Sequence, residues 1–252
     1  MRLRIETKII SDFLGFDYQS LSLSLIKYCL SNEDINYFNE LYPKEGMQKP
    51  KAFTFASNIT NFSVEGSGVN AKITGDNLII NISTIDFKFA IILYNAIFKM
   101  KNKEYTFKDM TIKIIGIART KEFQIDSDVV EFRTLSPIYL KEKNNRKDYS
   151  VDIDDMCKYV EILNYISNVS LNEVRGYGLK QKLEFMPLNY KKIISQQRYS
   201  SQSDKSKSLC KSVYKGNFIL RGDIDDLRDL YKIGLGFSRG VGFGNIEVIR
   251  CL

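Results

Sequence analysis

Five of the fifteen glycines in this 252-residue chain fall within eleven consecutive positions, Gly234-Leu-Gly236-Phe-Ser238-Arg239-Gly240-Val-Gly242-Phe-Gly244. Glycine reaches backbone conformations closed to other residues and lets a main chain approach a neighbour closely. The flanks constrain the cluster further. The run from Asp223 to Lys232 reads as a short helix with acidic residues in its first turn, and the run from Asn245 to Arg250 reads as a strand. Helix, loop, strand is the reverse of the order a dinucleotide fingerprint needs, and the glycine spacing does not give that motif. No Lys-Ser or Lys-Thr follows the glycines, which excludes a P-loop. Two readings stay open: a long turn between two elements, or a main-chain cradle for a ligand.

The chain has no histidine. That removes Ser-His-Asp triads, Cys-His nucleophiles and histidine metal sites, and it removes the side chain best suited to proton transfer near neutral pH. Acid–base work falls to Tyr, Lys, Asp, Glu, Cys or water. The four cysteines, Cys29, Cys157, Cys210 and Cys251, form no C-x-x-C pair. A metal site, a cofactor or a disulfide framework is therefore not expected, and a reducing cytoplasm is. The N-terminus carries charges where a signal peptide is apolar. The longest apolar window, from Phe87 to Phe98, is interrupted by Lys88 and Asn95 and is too short to span a bilayer.

The net charge of +7 is concentrated. Between Lys180 and Lys215 lie Lys180, Lys182, Lys191, Lys192, Arg198, Lys205, Lys207, Lys211 and Lys215, opposed only by Glu184 and Asp204. This one segment carries the whole imbalance, interleaved with Tyr190, Tyr199, Gln196, Gln197 and serines. A charge run is ordinarily a solvated face. An excess this local points to a polyanion such as nucleic acid.

Hydrophobic periodicity gives the same element order twice. Alternation at Leu3, Ile5, Thr7 and Ile9 predicts a strand, and Leu21, Leu25, Tyr28 and Cys29 predict a helix over 18–30. A polar region follows over 32–50. Strands are expected at 51–57, 69–73 and 77–82, a helix over 85–99 and a strand over 111–118. In the second half, strands are expected at 129–140, 180–185 and 216–220, a helix over 153–166, the helix from Asp223 and the strand from Asn245. Pro137 suggests an edge or a bulge. A hairpin is placed near 190–199, a polar connection over 141–150 and a mobile low-complexity loop over 200–208. The expectation is an α+β protein of two tandem ferredoxin-like (RRM-like) βαββαβ domains, 1–120 and 126–252.

The glycine tail resembles the C-terminal glycine-rich loop of the CRISPR repeat-processing endoribonucleases, members of the RAMP superfamily of tandem ferredoxin-like proteins. The N-terminal strand with the 18–31 helix, the Lys51-Ala-Phe-Thr-Phe-Ala-Ser57 strand, and Phe132-Arg-Thr-Leu-Ser-Pro137 agree in order and position. The resemblance implies binding of CRISPR repeat RNA and cleavage of one phosphodiester without metal. The preceding 2′-hydroxyl attacks phosphorus, leaving a 2′,3′-cyclic phosphate and a 5′-hydroxyl. The protein must align that hydroxyl, move protons and stabilise the phosphorane. In the family a tyrosine or equivalent on the first helix, a histidine in the next loop and a lysine share this work. Here the first-helix position is Lys27, beside Tyr28. Tyr42 stands where the histidine is usual, and the lysine is Lys51.

Each candidate has two readings. Lys51 is a phosphate-stabilising cation or a solvent-facing lysine at a strand start. Lys27 is a phosphate clamp or an ordinary helix lysine. Tyr42 orients the hydroxyl or donates a proton, or it packs on its domain. Tyr28 is core or a base-stacking platform. Lys44 and Lys49 share the loop and are substitutes. In the glycine loop, Ser238 and Arg239 have polar reach, with Arg239 expected to pair with a phosphate and backbone N–H groups of Gly234, Gly236, Gly240, Gly242 and Gly244 expected to cradle one. Lys191, Lys192 and Arg198 are expected to track an RNA backbone. Three functional readings follow: a metal-independent endoribonuclease; a repeat-RNA binder or effector-complex subunit that does not cut; or an unrelated two-domain protein with a glycine turn and a basic surface. A soluble monomer or homodimer away from membranes is expected.

Overall fold

The structure, a computed structural model, describes residues 1–15, 17–45, 49–66, 71–144, 147–199 and 207–252; side chains at 143, 144, 147, 196–199 and 207–210 lie outside that description. The chain divides into two compact units, Met1–Lys49 with Ala56–Lys121, and Pro50–Phe55 with Glu122–Leu252.

The first unit contains β1 (Arg2–Ile9), β2 (Leu14–Gly15), α1 (Tyr18–Glu33), α2 (Ile35–Leu41), β3 (Phe53–Ile59), β4 (Ser63–Glu65), β5 (Lys72–Thr74), β6 (Asn77–Thr84), α3 (Phe87–Lys99), β7 (Glu104–Phe107) and β8 (Met110–Arg119). The first residues of β3 group with the second unit. The main sheet runs β3-β6-β1-β8-β7, and a small sheet runs β2-β5-β4. In β1, Leu3, Ile5 and Thr7 are buried while Arg4, Glu6 and Lys8 face out, the period-two pattern of a half-covered strand. Helix α1 buries Leu21, Leu25, Ile26, Cys29 and Leu30, and packs on α3, which buries Phe89, Ala90, Leu93, Ala96 and Ile97. The Asp86 carboxylate starts α3 by accepting from the Phe89 N–H at 3.0 Å and from the Tyr37 hydroxyl at 2.6 Å.

The second unit contains β9 (Val129–Thr134), β10 (Lys141–Asn144), β11 (Lys147–Ser150), α4 (Met156–Arg175), β12 (Glu184–Tyr199), β13 (Lys207–Arg221), α5 (Ile224–Ile233), a 3₁₀ turn (Arg239–Val241) and β14 (Ile246–Cys251). Its sheet runs β12-β13-β9-β14. Setting aside the added edge and hairpin strands, both sheets carry the strand order of a ferredoxin-like βαββαβ unit. No helix among the described residues is long and apolar enough to cross a membrane.

Several elements depart from the sequence reading. The polar region after α1 contains α2, capped by Asp34, whose carboxylate accepts from the Tyr37 N–H at 2.9 Å. The strand expected over 69–73 is the shorter β5; residues 69 and 70 lie outside the described residues. The strand from Val129 ends at Thr134, because the N–H groups of Leu135 and Ser136 turn to the Asn245 carbonyl. Ile138 then makes an isolated bridge to Tyr214. The connection over 141–150 is the β10–β11 hairpin. The segment before β12 is not a strand: the N–H groups of Lys180 and Gln181 bind the Asp226 carboxylate at 2.8 and 3.4 Å. Positions 190–199 belong to a continuous ribbon of β12 and β13. Of the expected mobile loop, residues 200–206 lie outside the described residues.

The ribbon has a bulge between Pro187 and Asn189, opposite Phe218 and Asn217 and one pair before Gly216. Gly216 has φ of 146°, and a Cβ there would lie 1.7 Å from the Asn189 carbonyl oxygen, so only glycine fits. Beyond the bulge, Tyr190 enters a ring cluster with Tyr159, Phe185, Tyr214 and Phe218.

Helices α4 and α5 are joined by a buried ion pair. Asp226, fully buried, accepts from Arg175, which also reaches Asp229 at 2.8 Å. Removing one partner leaves the other charge desolvated and uncompensated. Asp226→Ala is therefore expected to cost the second unit about 3–5 kcal/mol, read as a lowered urea midpoint, whereas Asp128→Ala, which removes an exposed Arg221 partner, is expected to change it by less than about 1 kcal/mol.

Candidate functional site

The glycine loop is folded back on its own unit. The Gly234 N–H donates to the Leu230 carbonyl at 2.7 Å, Leu235 to Gly244 at 2.9 Å, Phe237 to Tyr139 at 2.8 Å and Gly244 to Pro137 at 2.8 Å. Val241 and Gly242 donate to Ser238 and Arg239, closing the 3₁₀ turn. The N–H groups of Gly234, Gly242 and Gly244 thus serve the loop's own architecture, which corrects the expectation that these three cradle a phosphate. Gly234, Gly236, Gly242 and Gly244 are buried. At Gly244 a Cβ would sit 1.9 Å from the Leu235 carbonyl oxygen, so this glycine is required by chain-on-chain approach. The outward side of the loop is formed by Phe237, Ser238, Gly240 and Val241, each partly exposed.

Arg239 is turned inward and only 4% exposed. Its Nη1 donates to the Ser170 hydroxyl on α4 at 2.5 Å and to the Gly236 carbonyl at 3.0 Å, and its Nη2 donates to the Lys51 carbonyl at 3.2 Å. Its Nε has no hydrogen-bond partner among the described residues. Burial lowers its pKa to about 10, which leaves it charged at neutral pH. The expected bidentate phosphate contact is thus replaced by a structural one.

Lys51 and the glycine loop, remote in sequence, are brought together in the second unit. Besides the Arg239 contact, the buried Thr54 hydroxyl donates to the Phe243 carbonyl at 2.7 Å, and the Ser136 hydroxyl donates to the Phe55 carbonyl at 3.2 Å. The Gly240 backbone passes so close to Lys51 that a Cβ would lie 2.8 Å from the Lys51 Cγ. Lys51 itself is half-buried.

Beside the loop, Tyr139, Val213 and Phe243 form an apolar cluster with Phe237 and Val241 against it. Lys211 is 5% exposed, with its ammonium 4.8 Å from the Tyr139 ring centroid and 5.4 Å from that of Phe243. Burial, reinforced by repulsion from Lys141, lowers its pKa to about 8. Lys141 lies 5.5 Å from the Phe237 ring centroid and pairs with Asp148 at 2.6 Å. The sequence counts Lys211 as one of nine surface cations, and only the pairing register shows it enclosed.

The rest of the basic segment is divided. Lys180 pairs with Asp225 at 2.7 Å and Asp223 at 3.5 Å. Lys192, expected to track RNA, is paired with Asp152, whose carboxyl is held down to about 2 by Lys192 first and by the Tyr214 hydroxyl next. Lys191 and Lys215 are exposed and face each other across β12 and β13. The Arg198 and Lys207 side chains and all of Lys205 lie outside the described residues.

In the first unit, α1 presents Lys27 with its ammonium 4.6 Å from the Tyr42 ring centroid. Burial lowers the Lys27 pKa. Tyr42 follows α2, its N–H donating to the Phe38 carbonyl at 2.8 Å. Burial raises the Tyr42 pKa, so the phenol keeps its proton and suits donation better than base chemistry. Tyr28 is not core: it is exposed, with its ring 5.3 Å from that of Tyr105. Lys44 and Lys49 are exposed on the following loop.

Residues 119–248, just over half of the chain, match the family described as CRISPR associated protein Cas6, C-terminal. A solved structure of a Cas6-related gene product from Pyrococcus furiosus superposes with a TM-score of 0.78 at 20% identity, covering 99% of this chain and 98% of that one. A structure described as an RAMP protein binding different RNA substrates superposes with a TM-score of 0.76 at 19% identity, over 99% of this chain and all of the other. A structure described as CRISPR associated protein Cas6 gives 0.73 at 18% identity, over 99% of each chain. These likenesses speak for the fold. No curated protein matches the chain.

The lowered pKa of Lys211 has a signed consequence. Between about 8 and the ordinary lysine value of 10.5, the folded chain holds fewer protons at this site than the unfolded chain. The contribution of Lys211 to stability therefore rises with pH through that window. Chemical denaturation of wild type and Lys211→Met across it is expected to show wild type gaining on the variant. A constant difference between them refutes this reading.

Proposed function

This chain belongs to the Cas6 family of CRISPR-associated proteins, and from that membership we propose that it binds CRISPR repeat RNA and cleaves it by metal-independent transesterification. The observation that carries the reading is the fastening of Lys51 to the glycine loop through Arg239 and Thr54. A cation on rigid main chain is preorganised, and preorganised charge is what a phosphorane requires.

In the proposed reaction the 2′-hydroxyl oxygen attacks the adjacent phosphorus and its proton leaves. The bond to the 5′-oxygen breaks, that oxygen gains a proton, and a 2′,3′-cyclic phosphate remains. The Lys51 ammonium opposes the charge that accumulates on the non-bridging oxygens. Within the first unit, Tyr42, kept protonated by burial, is available as a hydrogen-bond or proton donor, and Lys27 beside it as a phosphate clamp. Lys191, exposed on β12, supplies sequence-independent backbone affinity. Phe237 and Val241, on the outward side of the glycine loop, offer apolar surface to unpaired bases.

A second reading, RNA binding without cleavage, draws on the absence of histidine, since no side chain has an ordinary pKa near neutrality. The two separate in one experiment: repeat RNA incubated with the protein in EDTA, with the product ends mapped. Cyclic phosphate ends that vanish when one nucleotide is 2′-deoxy support the enzyme. Lys51→Ala is expected to slow single-turnover cleavage by about 10²-fold or more with little change in affinity. Tight binding of RNA that stays intact leaves the binder, and failure to bind repeat RNA in preference to unrelated RNA overturns both.

A further inference from the structure

Two guanidinium groups lie deep in the second unit, and they are compensated differently. Arg175 meets the carboxylates of Asp226 and Asp229. Arg239, 4% exposed, meets the Ser170 hydroxyl and the carbonyls of Gly236 and Lys51. No carboxylate among the described residues pairs with it. A buried charge is costly unless an opposite charge or a full set of hydrogen bonds compensates it.

Here the hydrogen bonding is also incomplete. The Arg239 Nε–H has no partner among the described residues. Nor has the hydroxyl of Ser167, which is 1% exposed and stands one helical turn before Ser170 on α4. The three-residue spacing puts both serines on one side of α4. Their needs differ. Ser170 donates to the Ile166 carbonyl at 2.6 Å while it accepts from Arg239, so its hydroxyl is satisfied. Buried polar groups left without a partner are rare in folded proteins, and each calls for one.

We propose that Arg239 and Ser167 hold a small monovalent anion of the halide class, chloride, enclosed between α4 and the glycine loop. Both orphaned groups can donate, so the ligand is an acceptor. A charged ligand supplies the counter-charge that the neutral oxygens around the guanidinium cannot. A water molecule would satisfy the donors and leave the charge uncompensated. A phosphate or sulfate would set its oxygens against the Gly236 and Lys51 carbonyls, which already face the guanidinium. A monatomic ion touches only the donors. It completes the shell of the residue that fastens the glycine loop to α4 and to Lys51, so occupancy stabilises the folded state.

Unfolding of the RNA-free protein in urea tests this, and its outcome is separate from the question of cleavage. Sodium chloride is exchanged for sodium gluconate, an anion too large to be enclosed, at constant ionic strength so that screening stays fixed. The urea midpoint is expected to rise over about 1–100 mM chloride and to follow the saturation curve of one site, with bromide acting in its place. Ser167→Ala removes a hydroxyl without a partner among the described residues. Wild-type circular dichroism and a midpoint in gluconate no lower than wild type are expected of it, with the chloride response shifted at least about tenfold in concentration. In crystals grown with bromide, anomalous scattering is expected beside the Arg239 Nε. Equal wild-type midpoints in the two salts overturn the proposal. So does a Ser167→Ala variant with the wild-type chloride response, or an adventitious ion only, with bromide at the surface and none at Nε.

Discussion

The guanidinium of Arg239 lies between α4, the Gly236 carbonyl and the Lys51 carbonyl, almost out of reach of water. Its polar contacts among the described residues are neutral oxygens, so its desolvation is offset by hydrogen bonds rather than by an opposite charge. A planar guanidinium can spread donors to three separate acceptors, which the compact ammonium of lysine cannot. The consequence is that three sequence regions, the glycine loop, α4 and the start of β3, share one fixed point. The closeness of Gly240 to Lys51 and the Thr54 bond to Phe243 follow from that arrangement.

Charge in this protein is less superficial than its composition suggests. The basic segment supplies an ion pair at Lys180, another at Lys192 and a buried ammonium at Lys211. Each draws on a partner elsewhere in the second unit: α5, the residues before α4, or the aromatic cluster beside the glycine loop. Among the described residues, Lys182, Lys191 and Lys215 remain toward solvent, and the last two are adjacent on neighbouring strands. A field built from such a pair is local, which suits the grip on a single phosphate better than a long electrostatic track.

Much of the architecture was legible from residue order alone. The alternation in β1, the apolar faces of α1 and α3, and the helix-loop-strand order around the glycines all stand in the structure. What was not legible depended on partners distant in sequence. Helix α2 is too short to show a clear period and is fixed by the Asp34 cap. Arg239 looked like a phosphate ligand because nothing local reveals that Ser170 and the Lys51 carbonyl wait for it. Tyr28 looked like core because its spacing suits the buried stripe of α1, yet it falls at the stripe's edge. The Lys27–Tyr42 contact joins two residues that sequence had singled out separately, and it needed the turn after α2 to form.

The bulge between Pro187 and Asn189 resets the phase of β12. Phe185 and Tyr190 both point into the ring cluster although an odd number of positions separates them, which strict alternation forbids. The extra residue inserted at Leu188 inverts the facing of everything downstream. Were the strand instead paired straight through Leu188 with no bulge, Tyr190 would face the opposite side of the ribbon and Lys191 would be driven toward the rings. One unpaired position thus decides which of two neighbouring side chains this ribbon buries and which it offers to an anion.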